Sequence, residues 1–394
     1  MKNIIKTSLI AATAIASLQS SSFAADTIAD AFKDGTVKGQ LKSYYFSKSY
    51  DSKYNIEDAS IWVNGVTLGY KTADFNGLSL GLTSQFASVT SEDDDNNRYG
   101  GTMHNSGTVT SESYLQYTLN KTTAKIGRQF FWTPIVGGSG SRFIRQAFEG
   151  YSVTDETFAN TKIIAAYMTK FQGRTDNAGS PGEFNDGTVG DDGTMTLYVK
   201  NNSVDGLTLQ AQYAAKSEAT NNSKDGFDIM YADATYKIKS DLKPFIAAQY
   251  LGTDYENATK DANAYGVKAG ASMAGVSATI AYTSVGDSSV VQGIGQGSIP
   301  LYTNGTAVDA WSATLSDTDA YKMTLGYAID KVSLEAAYSS FDRKNQDTVT
   351  DTSLTATYKP MSNITAQVQY SIVDNAYAGD KLSNDLRTRL IYSF

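Results

Sequence analysis

The chain has 394 residues and a mass of 42.4 kDa, with 33 basic and 41 acidic side chains, a formal charge of −8 and a pI near 4.8, a balance that argues against a general nucleic-acid binder. It has no cysteine and one histidine, His104, which removes disulfides, thiol nucleophiles, thiolate metal sites and any mechanism that needs two imidazoles. Tyr (26) and Gly (33) are abundant, Pro (5) is scarce and 19% of residues are charged, a composition weighted toward strands.

Residues 1–24 carry Lys2 and Lys6, an apolar run from Leu9 to Leu18, and Ser22-Phe23-Ala24, the three parts of a secretory leader. They predict a mature chain that begins near Ala25, with 31 basic against 41 acidic residues and a charge near −10. No later run approaches 18 consecutive apolar residues and the mean hydropathy is −0.31, so no transmembrane helix is expected. The remaining destinations are secretion, the periplasm or an outer-membrane barrel.

From Ala25 onward the chain is one series of alternating segments with no break that would mark a second domain. Leu78, Leu80, Leu82 and Phe86 share one parity, with small or polar residues between them, which predicts a strand with one apolar and one wet face. The acidic run Glu92 to Asn97 fails as a calcium loop, because counting from Asp93 puts Arg98 and His104 where a glycine and a glutamate are required. His104 has no evident catalytic partner and reads as solvent-exposed. Phe131 to Ala147 carries Arg142 and Arg145 among Gly137, Gly138 and Gly140, a composition able to fold back across a lumen and grip a carboxylate with two guanidiniums. Alternation returns at Leu207–Tyr213, Val276–Tyr282, Tyr321–Tyr327, Val332–Tyr338 and Ile364–Tyr370. Gly293, Gly295 and Gly297 lack the Lys-Ser/Thr and the strand-to-helix setting of a phosphate loop and read as ordinary loop. The chain closes on an alternating strand, Leu390 to Phe394.

Period alone does not separate a soluble sandwich from a barrel; three further features do. The apolar face repeatedly ends in an aromatic, at Phe86, Tyr213, Tyr250, Tyr282, Tyr327, Tyr338 and Tyr370, as expected of a girdle at a membrane interface. Tight turns at Asn76-Gly77, Ala274-Gly275, Asp330-Lys331 and Pro360 to Asn363 alternate with long polar loops at 91–108, 172–192 and 285–318. The last residue is aromatic. The prediction is an all-β, transmembrane antiparallel barrel of about 18 strands, with short periplasmic turns and long extracellular loops, over residues 25–394.

The segments Gly35 to Phe46 and Trp62 to Tyr70 resemble the first hairpin of OprD-type outer-membrane porins. The resemblance strengthens at Lys125 to Phe130, Thr133-Pro134, Arg142 and Gln146 to Gly150, which in that family form the fifth strand, a third extracellular loop folding into the lumen, and the return strand. It covers residues 25 to 175 and is architectural beyond them. It implies an eighteen-stranded channel for small, often carboxylate-bearing solutes, with an arginine-rich strip along the wall. Here the strip is sparser and mixes Lys with Arg. Ala31 to Gly35 also resembles the trimeric major porins, so monomer and homotrimer both stay open.

If Leu386, Thr388, Leu390, Tyr392 and Phe394 face lipid, Arg387 and Arg389 face the lumen, beside Lys38 and Lys42 on the first strand, which must neighbour the last for closure. Lys200, Lys268 and Lys322 also read as inward, against the acids Asp228 and Glu335; Arg128 shares the parity of Ile126 and has no clear orientation. The expected pore-lining residues are therefore Lys38, Lys42, Arg142, Arg145, Lys200, Lys268, Lys322, Arg387 and Arg389, with Tyr392 and Phe394 as the assembly signal and no catalytic or metal residues. The expected function is passive diffusion of small hydrophilic, anionic or carboxylate-bearing solutes, with no cofactor and no enzymatic activity. Expected partners are outer-membrane lipid, lipopolysaccharide, solutes and ions. The alternatives are a non-selective or cation-selective trimeric porin and, further off, an adhesin or enzyme barrel.

Overall fold

A computed structural model describes residues 25–51, 57–95, 97–218, 226–256, 261–307, 313–374 and 382–394; the predicted leader, residues 1–24, lies outside them. After a short helix α1 (Ile28–Lys33), the wall begins with β1 (Thr36–Tyr50), β2 (Ala59–Lys71), β3 (Leu78–Asp93), β4 (Gly107–Leu119), β5 (Thr122–Gln129), β6 (Ala147–Asp155) and β7 (Thr161–Gln172). It continues through β9 (Thr194–Asn201), β10 (Leu207–Lys216), β11 (Phe227–Lys237), β12 (Phe245–Tyr255), β13 (Ala262–Met273) and β14 (Val276–Val285). The last staves are β15 (Thr318–Ile329), β16 (Val332–Arg343), β17 (Val349–Tyr358), β18 (Ile364–Asp374) and β19 (Ser383–Ser393). Only β8 (Phe184–Asn185) is not a stave; it is a two-residue strand inside a loop that pairs with the end of β7. Eighteen antiparallel strands therefore form the wall, and β1 closes it on β19, from Gln40 opposite Ser393 to Tyr50 opposite Ser383.

Connections alternate as the sequence predicted. Asn76-Gly77 and Ala274-Gly275 have φ of 51° and 86°, and of 50° and 85°, the doubly left-handed geometry whose twist matches a two-residue hairpin. The first and last described residues, Ala25 and Phe394, lie on the turn side. There α1, which the sequence did not announce, starts on Thr27, whose Oγ1 accepts from the Asp30 N–H at 3.1 Å, and Ala31 O accepts from Ala73 N–H at 2.9 Å.

The two faces are inverted relative to a soluble sheet. Leu80, Leu115, Ile246, Val267, Ile280, Leu325, Leu354 and Leu390 are exposed on the outer surface. Aromatics bracket this band: Tyr213, Tyr265, Tyr321, Tyr338 and Tyr370 lie toward the loop end, and Tyr117, Tyr236, Tyr327, Tyr358, Tyr392 and Phe394 toward the turn end. The inward parity carries buried Thr83, Gln85, Gln212, Gln249, Thr253, Gln369 and Ser371. The apolar core lies in the lumen, where loop residues pack on inward side chains: Phe143 and Ile144 against Tyr44, Phe46, Ile61 and Val63, and Ile135, Val136 and Ile294 against Phe148 and Phe171.

Candidate functional site

β5 and β6 are only 8 and 9 residues long, so the chain leaves the wall at Gln129 and rejoins it at Ala147. The intervening segment crosses the interior with Ile135, Val136, Phe143 and Ile144 fully buried. Inward polar side chains hold it on both sides. Gln85 on β3 forms a reciprocal amide pair with Arg145, donating to its carbonyl at 2.8 Å and accepting from its N–H at 2.9 Å. Lys42 donates to Phe143 O at 2.5 Å. Across the lumen Gln212 accepts from Ile135 N–H at 3.0 Å and donates to Thr133 Oγ1 at 2.6 Å. Buried backbone groups in a loop need such partners, and the wall supplies them.

Against the seam between β1 and β19 the crossing brings Arg142 to a group of cations. The guanidiniums of Arg142, Arg387 and Arg389 lie 5.4, 5.5 and 5.1 Å from the centre of the Phe46 ring. Arg174, from the loop after β7, joins them by donating to Ser139 Oγ at 3.0 Å. Arg389 donates to Gln367 Oε1 at 2.6 Å and to Ser141 O at 3.3 Å. One carboxylate accompanies Arg142, Arg387 and Arg389 among the described residues: Asp385, gripped by Arg387 through Nε and Nη2, both at 2.7 Å. Burial first, and then the neighbouring guanidiniums of Arg387, Arg174 and Arg389, hold Arg142 well below its ordinary pKa. Like charges gathered away from bulk water are stabilised by a counter-charge.

Arg145 does not join this group. It stacks 4.2 Å from the Phe130 ring and faces Glu112, so the expected two-armed grip by Arg142 and Arg145 is not formed. Local glycine content predicted the crossing, but the chain turns between the two arginines, so that Arg142 lies against Phe46 and Arg145 against Phe130.

A second loop, 286–317, also enters the lumen through its residues 290–307, where the sequence suggested only surface. Ile294 bridges Val136 in parallel, donating to Ile135 O at 2.8 Å and accepting from Gly137 N–H at 2.9 Å. Gly295 has φ of +82°, and a Cβ on Gly297 would stand 2.6 Å from Gly138 C, so the glycines singled out in the sequence permit this close approach. Further along, Tyr302 hydrogen-bonds Asp233 on β11, and Asp351 on β17 accepts from the N–H groups of Thr306 and Ala307, both at 2.7 Å.

The remaining wall cations are placed as follows. Lys38 and Lys200 point inward near the turn ends of their strands, Lys200 opposite Lys162. Lys268 lies 4.2 Å from the Tyr302 ring, and Lys322 donates to Asn304 O at 2.6 Å. Lys42, Lys268 and Lys322 therefore hold the two lumenal loops. Tyr392 on β19 and Phe394 just past its end are outward, and Phe394 exchanges both backbone bonds with Gly39 at 2.9 and 3.0 Å. Asp228 is a correction: it faces outward and accepts from Tyr213 OH at 2.6 Å, because β11 directs odd positions inward. The inward acid there is Asp233. His104 also has a partner, Glu92, at 2.7 Å, and is 36% exposed. Asp385 was open to the parity argument, two residues before Arg387 on the same face. Arg174 carried no signal, since it lies in an aperiodic loop.

The family model described as outer membrane porin, OprD family, matches residues 29–315. No curated protein sequence matches the chain. Among solved structures it is similar to Pseudomonas aeruginosa OccK9 (OpdG), at 17% identity and a TM-score of 0.76 over 92% of this chain and 100% of that one. Acinetobacter baumannii OccAB2 gives 15% and 0.76 over 93% and 99%. Pseudomonas aeruginosa OpdK, solved with vanillate, gives 13% and 0.74 over 92% and 100%. With more than half its length matched by the family model, an eighteen-stranded closed wall and a loop folded into the lumen, this chain belongs to the OprD family of outer membrane porins.

Proposed function

We propose that the channel passes small hydrophilic anions, carboxylate-bearing solutes first among them, and that Arg142 and Arg389 contact the solute. The observation that carries this reading is the imbalance at the seam: among the described residues Arg142, Arg387 and Arg389 stand with one carboxylate, Asp385, already engaged in both its oxygens by Arg387. A planar carboxylate matches the fork of a guanidinium, and the buried Phe46 ring beneath backs the three guanidiniums of Arg142, Arg387 and Arg389. OpdK, solved with vanillate, an aromatic carboxylate, is in keeping with that chemistry.

The formal charge near −10 points the other way, toward cations, but much of that acid lies in loops such as Glu92 to Asp95. At about 0.15 M salt, a charge beyond roughly 8 Å from the ion path is largely screened. Charges at the narrow point act at close range with low-dielectric protein behind them and govern selectivity. The test is the zero-current potential under a KCl gradient. The wild type should prefer chloride, and Arg142→Gln with Arg389→Gln should abolish the preference while leaving the Arg387–Asp385 pair intact. A wild-type channel selective for potassium would defeat the anion reading and leave the porin standing.

A further inference from the structure

Arg128, whose direction the sequence left open, faces away from the channel. Across β4 to β7 the ladder sets Ser113, Arg128, Glu149 and Lys170 opposite one another in a single row. An irregularity between Glu149 and Gly150 leaves Thr169 as an extra residue in β7, which brings Lys170 opposite Glu149. The next outward row toward the turn end is apolar and exposed: Leu115, Ile126, Tyr151 and Tyr167. The charged row thus begins where the apolar band stops, on the loop side of the barrel.

The row is a built site rather than a scatter of charges. Arg128 Nε lies 2.9 Å from Glu149 Oε2, and its guanidinium stacks 4.3 Å from the Phe184 ring on β8. Lys170 Nζ lies 3.9 Å from Glu149 Oε1. Gly127 and Gly150, facing each other in the ladder, bring no side chain, and a notch of about 440 Å³ opens there, lined by Thr110, Ser113, Arg128, Glu149 and Tyr151. Two cations stand against one carboxylate. Glu149 takes Nε, and among the described residues no other hydrogen bond holds the guanidinium, so its two terminal nitrogens are available.

We propose that this notch binds the phosphorylated headgroup of an outer-leaflet glycolipid. Arg128 and Lys170 hold the phosphate by charge-assisted hydrogen bonds, and the hydroxyls of Thr110 and Ser113 face the sugar. Charges on the lipid face are tolerated only near the interface, which is where a headgroup phosphate lies. A solute inside the channel does not reach the notch, because the wall stands between them.

The experiment uses the full barrel in nanodiscs of zwitterionic lipid doped with a bis-phosphorylated glucosamine glycolipid, and native mass spectrometry to count the molecules retained. Wild type should retain the phosphorylated form about tenfold better than its dephosphorylated counterpart, and Arg128→Ala with Lys170→Ala should lose about the same factor. Lys239→Ala, at the turn end, should behave as wild type. Equal retention of the two glycolipids by the wild type, a comparison that needs no variant, overturns the proposal. Displacement by millimolar inorganic phosphate also overturns it and assigns the notch to a free anion. A wild-type oligomer that retains no glycolipid and dissociates in the double variant overturns it in favour of a second copy of the chain.

Discussion

At the scale of single residues, several wall cations turn out to be clamps. Lys42 is buried, and its ammonium donates to Phe143 O, so the group that looked like an electrostatic guide also fixes the height of the crossing loop. Replacing it with Met keeps the apolar stem and removes the donor. A buried carbonyl left unpaired costs about 1–3 kcal/mol. That cost falls locally, so Lys42→Met should leave the barrel folded and should increase the fluctuation of the open-channel current, read in single-channel recordings. A variant as quiet as the wild type would show that Gln85 and Gln212 suffice to hold the loop. Phe143→Ala acts through packing instead. Its ring is fully buried against Tyr44, at 5.5 Å between centroids, and a cavity of that size costs about 3–5 kcal/mol in a closed core. Here the loop can shift into the space, and higher conductance is the expected outcome.

At the scale of elements, the two lumenal loops act as one partition. Loop 130–146 is tied to β1, β3 and β10, and loop 286–317 to β11, β15 and β17, and they meet at Val136 and Ile294. The junction depends on backbone contact at Gly138 and Gly297. Gly297→Leu places a side chain where the Gly138 backbone stands and should push the loops apart, raising single-channel conductance in planar bilayers. Shortening Gly137 to Gly140 should have the same sign, since it draws the first loop off the second. Conductance unchanged in both variants would mean that ions pass elsewhere than along this partition. The partition was half legible. The glycines of the first loop marked a chain able to cross, whereas the second loop offered polar composition alone, and its docking depends on Asp233, Asp351 and Lys322, residues of three other strands.

For the whole molecule, closure is the property to test. β1 meets β19 from Gln40 to Tyr50, over the full length of β19, and Phe394 bonds Gly39 at the turn end. A closed sheet has no edge from which to unravel, so the detergent-extracted protein should run faster unheated than heated in electrophoresis and show a strand-dominated circular dichroism spectrum. Deleting Phe394 removes two closing backbone bonds and an outward aromatic, and the fraction that is heat-modifiable should fall. Full recovery of the compact form in that variant would show that the terminal residue is dispensable for assembly.

By itself the sequence determined, for strands such as β3, β14 and β19, which face meets lipid and which meets water. Side chains alternate with a period of two, and in a bilayer a polar residue on the wrong face is expensive, so parity at Leu390 or Ile280 was enough to orient β19 or β14. It also determined the alternation of turns and loops, because doubly left-handed pairs such as Asn76-Gly77 admit only tight hairpins. The reading failed at Asp228, beside a loop, whereas Arg128, left unoriented, lies on the outward face that its parity with Ile126 gives. Only the tertiary structure decided which charges meet. Arg142 and Arg174 come from two aperiodic loops, Arg387 and Arg389 from the last strand, and Ser141 and Arg389, in hydrogen-bond contact, are 248 residues apart. No local spacing encodes such a meeting; it follows from closing the sheet and then folding loops into the space that closure creates.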